Sequence, residues 1–276
     1  MNNLAGYLRR RGDLHAADSL YREVLAFDMR RLGPDHPNTA TVTNNLAGVL
    51  FEQGDLAEAE RLYRQVLDFD RRHFGDDHRY TALVLGNLAT VLRDQGEYQE
   101  SERLLRESLD INRRVLGEEH PSVGFTRAAL AGVLQDTGES KEAESLYRDA
   151  IDLLDRTVGE HPRTAAAKSG LGRLLAAAGR ADEAEPLLRE ALPVLLASYP
   201  EDDARVTRTR RALGEALTAQ RRFAEAESML VASYGALRQR ADRADEIRET
   251  AAALVALYHA WNRPDRAEPF LAVAAR

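Results

Sequence analysis

The residues best suited to chemistry in this chain are its histidines, and four of them recur at a fixed interval. His36, His78, His120 and His161 are spaced by 41 or 42 residues. Imidazoles converging on one point would make a zinc site, which needs a tetrahedral set of ligands. Spread one per period, these side chains would instead be strung along an edge. Three of them precede Pro37, Pro121 and Pro162, and a following proline pushes a residue into extended backbone. The pattern predicts loop shaping and helix capping, with no metal. Gly170-Leu171-Gly172 opens like a dinucleotide fingerprint but lacks the third glycine and follows no strand pattern. Neither a Walker loop nor a kinase catalytic signature occurs, and no serine–histidine–acid pattern rises above chance. Zero cysteines exclude disulfides and thiolate metal sites. The chain reads as no enzyme, with no catalytic residues and no cofactor.

The elements that must position these residues are one unit written seven times. Leucines at 4, 46, 88, 130, 171, 213 and 254 each open the same phrase, seen fully in Asn44-Asn45-Leu46-Ala47-Gly48-Val49-Leu50, then Gly54, then Ala57-Glu58-Ala59-Glu60-Arg61-Leu62-Tyr63. The units are 2–43, 44–85, 86–127, 128–168, 169–210, 211–251 and a partial 252–276. A period of this length signals a repeat array in which each unit contacts mainly its neighbours, so 1–276 is expected to be a single repeat solenoid.

Within the second unit, Leu46, Ala47, Leu50 and Phe51 recur at helical spacing and predict a helix over about 38–53, with Pro37 suited to its first turn. Gly54 stops it in the left-handed conformation that a C-terminal cap commonly requires. A second helix over about 56–73 carries Ala59, Leu62, Tyr63, Val66 and Leu67 on one side. Each unit is therefore a helical hairpin, about fourteen helices in all, with no strand pattern anywhere.

Small residues follow the leucine (Ala5, Ala47, Ala89, Ala131, Gly172, Gly214). Others recur in the second helix (Ala17, Ala59, Ser101, Ala143, Ala184, Ala226, Ala267), with Tyr21, Tyr63, Leu105, Tyr147, Leu188, Leu230 and Leu271 beyond them. This large–small alternation lets paired helices approach closely and is packing logic. The turn glycine at 12, 54, 96, 138 and 179 becomes Arg221 and then Asn262; arginine resists the left-handed conformation, so a different or strained turn is expected at 221.

A composition of 44% hydrophobic and 30% charged residues supports a packed core. The net charge of −7 argues against nucleic acid, which needs a coherent basic face. No apolar signal core and no run of 18 uncharged apolar residues occurs, so no membrane partner and a cytoplasmic location are expected. The helix at residue 2 starts without a cap, which suggests a fragment or a missing upstream partner. Charged side chains such as Glu58 and Arg61 follow one helical face without unusual clustering and read as solvated surface. The Arg-Arg pairs at 30–31, 71–72 and 113–114 fall near the ends of second helices, where cations complement the helix dipole.

The arrangement Leu46-Ala47…Leu50…Gly54…Ala59…Tyr63…Val66 resembles the tetratricopeptide repeat. Its 42-residue length, Asn-Asn-Leu-Ala opening and Leu-Gly-Pro-Asp-His-Pro loop (32–37) are similar to the kinesin-light-chain subtype. The closing stretch 254–268 resembles the repeat tails of bacterial serine/threonine kinases. The first resemblance implies an all-α fold, a right-handed α-solenoid of tandem helical hairpins. It also implies a non-catalytic scaffold that binds a protein or peptide ligand in a concave groove lined by first helices. The second resemblance raises a regulatory or substrate-recruiting kinase tail as an alternative, and open terminal faces raise self-association as another.

Family register places Asn2, Gly6, Arg9 and Arg10 in the groove from the first unit, and Asn44, Gly48, Phe51 and Glu52 from the second. Thr90, Arg93 and Asp94 come from the third, and Arg173, Arg208 and Arg211 from the fifth and sixth. Small residues at 6, 48 and 132 would leave room for a ligand backbone, and the arginines could grip carboxylates bidentately. Arg93 and Arg173 fall outside the packing register. Asn3, Asn45 and Asn87 would support packing by bonding backbone between neighbouring helices. Asn2 and Asn44 would project toward the concave side, where packing and ligand contact both remain open. Repeat domains that clamp chaperone C-termini carry lysines at the Asn2 and Gly86 positions, and this chain does not.

Overall fold

The computed structural model describes residues 1–238 and 240–275. Its described residues form fourteen α-helices, two 3-10 turns and no strand, an all-α repeat solenoid built of hairpins. Two compact units divide the chain, Met1–Glu139 and Ser140–Arg276.

Unit one contains α1 (Asn2–Arg10), α2 (Leu14–Arg31), α3 (Pro37–Gln53), α4 (Leu56–Phe74), α5 (Arg79–Asp94), α6 (Tyr98–Leu116) and α7 (Pro121–Asp136). The helices α3 and α4 lie within a residue of the spans that periodicity predicts. The helices α1, α3 and α5 each pack on their own second helix, and α3, α5 and α7 on the second helix before them, while α1, α3, α5 and α7 touch in sequence to form an inner layer. The register leucines are the core of this arrangement, with Leu46 2% and Leu88 0% exposed. Leu4, at the same position in the first repeat, is 55% exposed.

Unit two contains α8 (Ser140–Thr157), α9 (Pro162–Ala177), α10 (Ala181–Ser198), α11 (Ala204–Ala219), α12 (Phe223–Leu237), α13 (Ala244–Ala260) and α14 (Glu268–Ala274). Here α9, α11 and α13 make the inner layer. Leu171, Leu213 and Leu254 are buried in it.

The turn between paired helices is one geometry used repeatedly. Gly54 takes φ 85° and ψ 7°; its N–H donates to the Phe51 carbonyl and the Asp55 N–H to the Leu50 carbonyl. Asp55 then caps α4 by accepting from the Glu58 N–H at 3.3 Å, as Asp13 caps α2 through Ala16. The turn at Arg221 makes the same two bonds, from the Arg221 N–H to the Thr218 carbonyl and from the Arg222 N–H to the Leu217 carbonyl, and Arg221 adopts φ 61°. The turn at 221 is therefore unchanged, and the cost appears as backbone strain. A left-handed conformation costs a non-glycine residue about 1–2 kcal/mol. Glycine gives part of that back through the greater freedom of its unfolded chain. We expect Arg221→Gly to stabilise the protein by about 0.5–1 kcal/mol, read as a higher midpoint in urea melts; an unchanged or lower midpoint would show that the turn is relaxed.

On the outer helices the charges stay largely exposed but cluster, contrary to the unclustered face that sequence suggests. Arg148 reaches Glu144 at 2.8 Å and Glu183 at 3.0 Å, while Arg180 reaches the same two carboxylates at 2.7 Å. Arg189, Arg222, Glu185 and Glu225 repeat this four-membered box one hairpin later. The reason is stacking: a second helix's Glu-x-x-x-Arg pair meets the arginine and acid of the next hairpin, so each ion has two partners. The terminal arginines of second helices also reach across repeats, Arg72 to Asp35 at 2.9 Å and Arg114 to Asp77 at 2.5 Å. They act on loop acids as well as on the helix dipole.

Candidate binding groove

The histidines take the structural role that their prolines imply. His36, His78, His120 and His161 are the N-caps of α3, α5, α7 and α9. In each the ring Nδ1 accepts the N–H two residues on, at 3.1–3.2 Å. One per hairpin, they satisfy helix-start donors that would otherwise be orphaned. Among the described residues no three His, Asp or Glu side chains group as a metal site would require.

In unit one the inner face is knitted together by side chains 43 residues apart. The Asn45 amide donates to Asn2 Oδ1 at 3.3 Å and the Asn87 amide to Asn44 Oδ1 at 3.4 Å. Of the packing asparagines, Asn45 and Asn87 thus bond a neighbouring asparagine side chain, where sequence suggests backbone. Arg9 Nη2 meets Glu52 Oε1 at 2.9 Å, and Arg93 Nε meets Asp136 Oδ2 at 2.5 Å. Phe51 lies half-buried between them in register.

The space left by small residues is not open. A Cβ placed on Gly48 would stand 2.7 Å from Arg9 Nη1, and one on Gly132 would stand 2.6 Å from Arg93 Nη1. The guanidinium of one repeat lies flat on the glycine of the next, which corrects the expectation of room for a ligand backbone at 48 and 132. A Cβ on Gly6 would approach the Tyr21 hydroxyl at 3.3 Å. Arg93 consequently belongs to the packing, contrary to its sequence reading, because an arginine stem and a planar head cover apolar backbone well. Tyr63 lies buried below Arg9, and burial pushes its hydroxyl up to about 12.

In unit two the inner arginines stand on α9 and α11. Arg208 Nη2 meets Glu246 Oε1 at 2.7 Å, and Arg211 Nη2 meets Glu249 Oε2 at 2.8 Å. Arg173 is half-buried on α9. Glu215 sits between these groups. Burial pushes its carboxyl up, Arg211 pulls it down, Glu249 pushes it up and Arg173 pulls it down. The eight register residues thus divide into two sets, Asn2, Arg9, Asn44, Phe51 and Arg93 on unit one and Arg173, Arg208 and Arg211 on unit two. Sequence reading missed their acidic partners. The signal was available as an arginine followed 43 residues later by an acid, at 9 with 52 and at 93 with 136.

The matched family model is the tetratricopeptide repeat, over residues 1–72, 80–156, 129–197 and 163–239. The chain belongs to the tetratricopeptide repeat family, a fold generally used as a non-catalytic interaction scaffold. Among solved structures it is similar to a kinesin light chain protein of nearly identical TPR-like repeats from Podosopora anserina, at 24% identity and TM-score 0.55, covering 75% of this chain and 99% of that one. BtubC (BKLC) from P. vanneervenii matches at 21% identity and TM-score 0.59, covering 84% and 91%. A Rap protein complexed with competence and sporulation factor matches at 15% identity and TM-score 0.64, covering 95% and 74%. These likenesses concern the fold, which is that of kinesin-light-chain-like repeats. No curated protein matches the chain in sequence. None of the described helices is long and apolar enough to cross a membrane.

Proposed function

We propose that this protein is a non-catalytic scaffold whose inner helices bind a peptide or protein segment of a partner. The observation that carries this reading is the inner face of unit two. Arg173, Arg208 and Arg211 occupy positions on α9 and α11 that neither the leucine core nor the turns require. Charged donors displayed on a preformed helical layer bind without paying for ordering of the receptor. The Rap protein, found with competence and sporulation factor bound, adds support from a similar fold.

The test is affinity capture from the native host, followed by binding measurements on the captured partner with charge-reversed variants. Arg173→Glu and Arg208→Glu are expected to weaken binding by about 1–3 kcal/mol each, the scale of lost charge-assisted hydrogen bonds. The outer-helix variant Arg22→Glu, which removes an exposed pair with Asp18 at 2.8 Å, is expected to bind normally. The opposite ranking would make the outer surface the working face.

A further inference from the structure

The arginines of unit two are held by acids of two different kinds. Glu246 is built in. Its side chain is 12% exposed and receives Arg208 through Nε at 3.2 Å and Nη2 at 2.7 Å, Arg243 at 3.3 Å and the Thr207 hydroxyl at 3.3 Å. Glu249, one turn further along α13, is 48% exposed. Among the described residues its ion partner is Arg211, whose other contact is Glu215 at a loose 3.6 Å.

We propose that Glu249 occupies Arg211 as an internal stand-in for the carboxylate of an acidic partner segment, and that binding exchanges the one for the other. This rests on the groove reading above and names its ligand class and its regulation. The exchange is cheap because one charge-assisted pair on Arg211 replaces another, and Glu249 is the more exposed of the two partners. Glu249 can turn into water as the ligand arrives, while Glu246 keeps α13 docked on α11. Arg208 engages Glu246 through Nε and Nη2, which leaves the Nη1 edge of its fork for a second carboxylate. The cluster of Arg173, Arg211, Glu215 and Glu249 keeps its charge balance when one carboxylate replaces another.

Unit one lacks this property. Arg9 and Arg93 lie on Gly48 and Gly132, so drawing either head away would strip contacts from helix backbone. An acidic peptide fits unit two better than a nucleic acid does, because Glu215 and Glu246 interrupt the basic surface that a phosphate backbone needs.

The experiment uses the full chain and fluorescence anisotropy at low salt with three labelled probes. They are a twelve-residue Glu/Gly peptide, its Lys/Gly counterpart and a twelve-nucleotide single strand. The Glu/Gly peptide is expected to bind and the Lys/Gly peptide is not. Glu249→Gln is expected to tighten the Glu/Gly peptide about threefold and Arg211→Gln to weaken it about tenfold. Arg22→Gln, on the outer helix α2 where it pairs with Asp18 at 2.8 Å, is expected to change nothing, and circular dichroism should show all three variants folded. Unchanged or weaker binding by Glu249→Gln overturns the exchange. Single-strand binding as tight as the peptide's overturns the ligand class in favour of a general polyanion surface. Absence of Glu/Gly binding to both the parent and Glu249→Gln overturns the acidic segment, while the captured partner's dependence on Arg173 and Arg208 judges the groove separately.

Discussion

Leu88→Ala is expected to lose about 2–5 kcal/mol of stability, the range for a fully buried leucine truncated to leave a cavity. Leu88 is 0% exposed on α5, in the third hairpin of unit one. Repeats lie on both sides of it, so the damage cannot be shed by local fraying and should appear in the cooperative transition. Leu4→Ala is the same change at the same register position. Its side chain is 55% exposed, so less apolar area leaves the interior and the loss should stay near or below about 1 kcal/mol. Urea melts followed by circular dichroism would measure both. Equal losses would contradict a nearest-neighbour stack and a core set by the leucine register.

Gly214→Ala should destabilise although helix propensity says the reverse. Alanine in a helix interior ordinarily gains about 1 kcal/mol over glycine, and four other repeats carry alanine at this position. In α11, however, a Cβ at 214 would stand 2.5 Å from Leu230 Cγ, 2.8 Å from its Cδ2 and 3.3 Å from the Ala226 carbonyl. Leu230 is fully buried and cannot step aside without displacing its own neighbours. Overpacking of this kind costs about 1–3 kcal/mol, enough to outweigh the propensity gain. Gly235→Ala in α12 is the matched control, since nothing lies within 4 Å of its Cβ position. It should be neutral or stabilising by up to about 1 kcal/mol. If both substitutions shift the urea midpoint alike, the tight α11–α12 contact is not what keeps glycine at 214.

The candidate inner face was legible in the sequence as a set of positions and illegible as an arrangement. The register assigns Asn2, Asn44, Arg9 and Arg93 to first helices, and they stand on α1, α3 and α5, because a 3.6-residue helix repeats its faces predictably. It does not show that Arg9 lies on Gly48 and pairs with Glu52, or that Asn44 receives the Asn87 amide. Arg93 illustrates the difference. Being outside the leucine register makes it look available to a ligand, yet the next hairpin supplies both a glycine to lie on and an aspartate to pair with.

What the sequence determined by itself is everything that depends on neighbours along the chain. Leucine and alanine spacing fixed the helices, Gly54 and its equivalents fixed the turns, and the His-Pro pairs fixed three of the N-caps. These follow from local backbone geometry and from which side chains share a helical face. The tertiary structure decided which charges meet, where small residues leave space and what fills it, and which acid beside an inner arginine faces water. Those outcomes depend on the offset and angle at which one hairpin stacks on the next. A shift of one residue in that offset would part Arg9 from Glu52 and expose Gly48. No rule of local conformation sets it; the packing of whole helices does.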